Sequence, residues 1–143
     1  MFKKSWLCAP LATAALVGCE TTSERFAPPS DCIGTVCRVQ ISVARDCSMT
    51  ITPEKLTVRL PHGNKIILWR IISRGFVFTH DGIVIKTPHQ GVLHSPQLDG
   101  GGKVFVWHNN HHKTSGPYEY GINVVGTGGN TTKCSKDPLI VNE

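Results

Sequence analysis

The chain has 143 residues and a mass of 15.6 kDa, enough for one domain and too little for two with separate cores. Hydrophobic residues make up 40% and charged residues 17%, with 14 Gly and 9 Pro, which excludes a disordered chain and indicates a folded, turn-rich domain. The net charge is +5, but Arg38, Arg45, Arg59, Arg70, Arg74, Lys86 and Lys103 are scattered singly, so nothing tracks a phosphate backbone and nucleic acid is not an expected partner.

In chain order, the first feature is a leader. Lys3 and Lys4 supply a positive start, residues 5–17 a short apolar centre, and the segment closes on Leu16-Val17-Gly18-Cys19. It is too short and too interrupted to read as a spanning helix. The closing tetrad resembles the lipobox of bacterial lipoproteins. That resemblance implies that residues 1–18 are a signal peptide, that Cys19 is diacylated on its thiol, and that the new amine is acylated in turn. The alternative is an ordinary secretory signal cut after Ala12-Thr13-Ala14, with Cys19 incidental. Several acyl chains, at about 0.8 kcal/mol per buried methylene, anchor a protein permanently. Glu20, not Asp, follows the cysteine, so the resemblance points to the outer membrane, facing the periplasm. Without the leader, 13 basic and 10 acidic residues leave a charge of +3.

Residues 19–31 then read as the lipidated cysteine and a polar, proline-bearing tether, and residues 32–143 as the folded domain. Cys32, Cys37, Cys47 and Cys134 remain in the body, an even number in an oxidising compartment, and so are expected to form two disulfides. Residues 38–44 alternate polar and apolar, as a half-buried strand does. At about 3.3 Å per residue that strand holds Cys37 and Cys47 more than ~20 Å apart, beyond the roughly 7 Å reach of a bridge. Of the two arrangements left, we favour Cys32–Cys37 as a local clip and Cys47–Cys134 as a long staple. Zinc-thiolate binding is the competing use of these residues, but no Cys-x-x-Cys pair occurs.

Short strand signals broken by turns fill the rest. After 38–44 come 48–52 and 55–60, with Pro61-His62-Gly63-Asn64 as a turn. Residues 66–72, apolar on both faces and carrying Trp69, read as a central strand. Residues 76–80 and 83–86 flank Asp81-Gly82, a strong hairpin signal. A polar loop is expected over 87–102. Residues 104–108 are then expected to pair with 118–125, and 138–142 to add an edge strand. About eight strands at this spacing predict an all-β, two-sheet Greek-key sandwich.

The segments Leu56-Thr-Val58, Ile67-Leu-Trp69, Phe105-Val-Trp107-His-Asn109 and Tyr118-Glu-Tyr120-Gly-Ile122-Asn-Val124 resemble the cupredoxin-like sandwich over residues 38–142. The tail, Cys134-Ser-Lys-Asp137-Pro138-Leu-Ile140-Val-Asn142, is similar to that of other bacterial proteins ending in Cys-x-x-Asp-Pro-x-Ile-x-Asn. The resemblance implies the fold and not the redox centre. A blue-copper site needs a Cys, two His and usually a Met, and the stretch after Val124 (Val-Gly-Thr-Gly-Gly-Asn-Thr) carries none of them.

Seven histidines are an excess for this length. If successive strands alternate in direction, with Asp81-Gly82 as a reversal, then His62, His80, His108, His111 and His112 share one end of the sandwich. His89 and His94 fall at the other. Converging imidazoles suit copper or zinc, so these five form the candidate metal set; their plainer role is as polar loop residues. Trp69, Phe78, Phe105, Trp107, Tyr118 and Tyr120 read as core. No Gly-x-Ser-x-Gly or carboxylate dyad is present, and the domain is expected not to be an enzyme. The resulting expectation is a lipid-anchored envelope protein whose domain binds an envelope protein, a glycan or a small ligand. The rivals are copper or zinc binding through the histidines, and a secreted inhibitor that inserts its 87–102 loop into a hydrolase.

Overall fold

A computed structural model describes residues 31–32, 34–59, 64–110, 117–129 and 131–143. The leader, Cys19 and the tether lie outside the described residues, as do His62, His111 and His112. The described chain is all-β, with eleven strands: β1 (Asp31–Cys32), β2 (Val36–Val43), β3 (Met49–Thr52), β4 (Lys55–Val58), β5 (Lys65–Ile71), β6 (Phe76–Ile85), β7 (Leu93–Asp99), β8 (Val104–Asn109), β9 (Tyr118–Gly126), β10 (Lys133–Lys136) and β11 (Leu139–Asn142). Eleven exceeds the expected eight because short segments such as β1 and β10 escape an alternation count.

One sheet runs β1-β4-β11-β9-β10, with β6 on the other edge of β9; the second runs β3-β2-β5-β8-β7. Parallel pairs join β2 to β5 and β4 to β11, so the chain crosses repeatedly between the sheets. Alternation decides which side chains face inward. Val39, Ile41, Ile67, Trp69 and Phe105 from the second sheet are buried against Leu56, Phe78, Tyr120, Ile122 and Ile140 from the first. Two edge-on aromatic contacts cross the interface, Trp69 on Tyr120 at 5.4 Å and Phe78 on Phe105 at 5.7 Å. Burial pushes the Tyr120 phenol far above its usual range. As its run of apolar residues indicated, β5 is central in its sheet.

Four expectations are corrected. Asp81-Gly82 does not reverse the chain. Phe78 pairs with Val124 and Ile83 with Ile122, so β6 continues past a bulge in which residues 79–82 oppose Asn123 alone. The bulge is closed by the Thr79 hydroxyl donating to Asp81 Oδ1 at 2.7 Å and by Asn123 Nδ2 donating to the Asp81 carbonyl at 2.8 Å. The Thr79 bond also holds the Asp81 carboxyl below its usual range. Gly82 is required there because a Cβ would lie 2.7 Å from Phe78 Cβ. Second, the 87–102 segment is not all loop, since β7 pairs with β8 across a bulge of its own. Third, β8 and β9 are not partners. β8 pairs with β5 and β7, while β9 lies in the opposite sheet. Fourth, β11 is no edge strand but sits between β4 and β9.

The disulfides are Cys32–Cys37 and Cys47–Cys134, as favoured from the sequence. Each ties one sheet to the other. Cys32 in β1 meets Cys37 in β2 at one end, and Cys47, in the turn after β2, meets Cys134 in β10 at the other. On the chain-entropy argument, closing 87 residues is worth about 4.5 kcal/mol and closing 5 about 2 kcal/mol. Urea unfolding of Cys47→Ala/Cys134→Ala should therefore show a loss roughly twice that of Cys32→Ala/Cys37→Ala; equal losses would contradict this assignment of the staple.

Candidate functional site

The starts of β5, β7 and β9 and the ends of β4, β8 and β11 meet at the Cys32–Cys37 end of the sandwich. Lys65 pairs with Asn109, Leu93 with Asn109, and Asn142 with Val58. Its floor is polar and buried. The Asn109 Nδ2 amide, fully buried, donates to Asn142 Oδ1 at 2.9 Å, and the buried Lys65 ammonium donates to the Gly34 carbonyl at 2.8 Å. The Trp-His-Asn segment and the Asp-Pro tail singled out in the sequence therefore meet here, and their asparagines hold strand ends together. Elsewhere in the tail, Asp137 pairs with Lys86 at 2.7 Å.

The histidines distribute differently from the alternation argument. His80 is exposed in the β6 bulge, mid-strand and away from the strand ends. His94, expected at the opposite end, is the cross-strand partner of His108, and their rings stack at 5.5 Å with 24° between planes. His94 Nε2 lies 2.9 Å from Asn110 Oδ1 and Nδ1 lies 3.0 Å from Ser95 Oγ. Because Oδ1 only accepts, Nε2 is the donor of the bond to Asn110. His89 also belongs to this end. Its carbonyl accepts from Val92 N, Asn110 N bonds Val92 O, and its ring stands edge-on to Trp107 at 6.0 Å. The misplacement of His89 and His94 follows directly from counting Asp81-Gly82 as a reversal. Among the described residues, no three His, Cys, Asp or Glu side chains come together as a metal-holding group. His62, His111 and His112 lie outside the described residues.

At the same end of the sandwich, residues 87–92 and the start of β9 enclose an open cleft of about 260 Å³. Among the described residues, Pro88, Val92 and Pro117 line it together with Thr87, His89 and Tyr118. The wall is braced by Thr87, whose N–H donates to the Glu119 carbonyl and whose Oγ1 accepts from Glu119 N–H at 2.9 Å. Two atoms here are buried without a hydrogen-bond partner, His89 Nδ1 and Tyr118 Oη. Tyr118 alternates with core residues and is buried, as is Tyr120, so the two form no exposed ladder, and nothing local in the sequence announces an unsatisfied hydroxyl. Other depressions are shallower in chemistry. One lies over Leu68 between Arg38 and Arg70 on the outer face of the second sheet, and another beside the β6 bulge at Asp81 and Lys133.

The sequence matches no protein-family model, and no curated protein shows significant similarity to it. No helix among the described residues is long and apolar enough to cross a membrane.

The asparagine pair should be structural. Asn142→Ala removes one partner of a buried amide, which costs about 1–3 kcal/mol; a denaturation midpoint unchanged from the parent would refute that role.

Proposed function

We propose that the chain is a lipid-anchored protein of the bacterial envelope, in which a cupredoxin-like sandwich binds a partner non-catalytically through the Cys32–Cys37 end. The observation that carries this is that one end carries both the stacked His94–His108 pair and an open cleft lined by His89 and Tyr118, on a scaffold tied at both ends. Binding residues gather on loops held by rigid frames. Leu16-Val17-Gly18-Cys19 supports the anchor, and two inter-sheet disulfides support an oxidising compartment. Glu20 favours the outer membrane. The parallel β2–β5 and β4–β11 pairs of a two-sheet sandwich favour the cupredoxin-like arrangement. A type 1 copper centre does not fit the residues present, because all four described cysteines are in disulfides and supply no thiolate. The partner is an envelope protein, a glycan or a small ligand.

Two measurements test the reading. Labelled fatty acid should enter the parent chain and not Cys19→Ser; a variant still acylated would remove the anchor from the model. Partners captured from envelope extract by the parent should be lost when the cleft and histidine end are altered, and retained in chelator.

A second reading, copper or zinc binding, is favoured by the stacked His94–His108 pair on adjacent strands, with His111 and His112 next in sequence. A metal at His94 would displace its bond to Asn110 or Ser95. Titration of the full chain with Cu(II) and Zn(II) should then show about one equivalent bound and its loss in His94→Ala/His108→Ala; no binding above background discards this reading.

A further inference from the structure

We propose that the outer face of the second sheet, around Arg38, Leu68 and Arg70, docks on an anionic phospholipid bilayer. The inference rests on the reading of Cys19 as a lipid anchor, which keeps a bilayer within reach of the domain.

The basic residues are scattered in sequence, but the fold sorts them by sheet. Arg38 in β2 and Arg70 in β5 belong to the second sheet, and Arg45 and Arg74 to the turns that follow those strands. All four are exposed. Against them stand Asp46, whose carboxylate already accepts from Ser48, and Asp99 on the β7 edge. The first sheet mixes its signs instead. The ion pairs between described residues all lie on it or its flanks, as Lys86 with Asp137 at 2.7 Å and Arg59 with Glu143 at 3.8 Å. Among the described residues, none of the four arginines enters one.

Alternation sets what surrounds Arg38 and Arg70. Val39, Ile67, Trp69 and Phe105 are buried in the core, so their neighbours along β2, β5 and β8 point outward. In register, Arg38 lies opposite Leu68, Leu68 opposite Val106, and Arg70 opposite Val104. Leu68, Val104 and Val106 are half-buried, and Ile72, two residues past Arg70, is 55% exposed. Arg38 and Arg70 flank a shallow depression of about 80 Å³ over Leu68. An aliphatic strip bordered by guanidinium groups matches a bilayer surface, where lipid phosphates meet the arginines and the carbons beneath meet the strip. Residues 20–30 join Cys19 to Asp31 and span at most about 40 Å. Held that close, a face needs only a few weak contacts to settle on the surface. An acidic protein would match the same charges, but the tether brings the bilayer to high local concentration and brings no protein with it.

The test combines arginine footprinting with vesicle sedimentation. The vesicles are phosphatidylcholine alone, or phosphatidylcholine mixed with phosphatidylglycerol. On the acylated chain, phenylglyoxal should modify Arg38 and Arg70 several-fold more slowly in the anionic vesicles than in the neutral ones, with Arg59 on the first sheet unchanged. Sedimentation uses the full chain carrying Cys19→Ser, which has no acyl anchor. There Arg38→Gln/Arg70→Gln should weaken binding to anionic vesicles about thirtyfold, and Lys55→Gln/Lys133→Gln should leave it unaltered. The leader is common to these chains and cancels in the comparison, and all four side chains are exposed, so the fold should survive the changes. Equal footprints in the two vesicles, or sedimentation untouched by the arginine changes, overturns the proposal. An acidic protein captured by the parent and lost in the arginine variant, with no vesicle response, overturns the lipid occupant and gives the face to a protein. Absence of fatty-acid label at Cys19 would overturn the anchor, which the sedimentation arm does not use.

Discussion

The structure depends on β2 being fastened to the opposite sheet at both of its ends. Cys37 opens the strand and bonds Cys32 of β1, while Cys47 follows it and bonds Cys134 of β10. A domain of this size buries a limited core, and two sheets can slide on each other wherever the interface is a run of aliphatic side chains. Covalent ties at opposite ends remove that freedom. The aromatic contacts Trp69–Tyr120 and Phe78–Phe105 then hold the interior to one arrangement. A scaffold tied in this way can leave polar groups unsatisfied at one end without losing its shape.

The two ends are finished differently. At the Cys47–Cys134 end, the Lys103 ammonium donates to the carbonyls of Ser73 and Phe76, and Ser73 Oγ accepts from Val43 N. Burial lowers the Lys103 pKa. Those contacts close the end. At the other, Asn109, Asn142 and Lys65 satisfy the floor, yet His89 Nδ1 and Tyr118 Oη above it have no partner.

The legible and illegible parts of the site divide along the same line as those of the fold. Tyr118 was correctly read as buried from its alternation with Tyr120 and Ile122, but alternation reports only which face a side chain takes. Whether its hydroxyl finds a partner depends on which distant residues pack around it, and here none does. His94 and His108 are fourteen residues apart and stack because β7 pairs with β8. Reading 87–102 as loop hid that strand, since Ser95, Pro96 and the glycines at 100–102 are turn chemistry that a bulged edge strand tolerates.

By itself, the sequence determined the all-β class, the inward-facing residues of β2, β5 and β9, the central place of β5 and the exclusion of a Cys37–Cys47 bridge, while the choice between the two remaining pairings was settled by the fold. Each follows from a local rule: a period of two places side chains, and strand length places Cys37 and Cys47 at opposite ends. Tertiary structure alone decided that β6 runs through Asp81-Gly82 instead of turning, that β8 and β9 lie in different sheets, and that β11 is interior. Those outcomes depend on which strand edge is available to pair with, and on how closely backbones approach, as at Gly82 against Phe78. Strand partners are chosen by contacts distant in sequence, and the histidine end and its cleft are consequences of that choice.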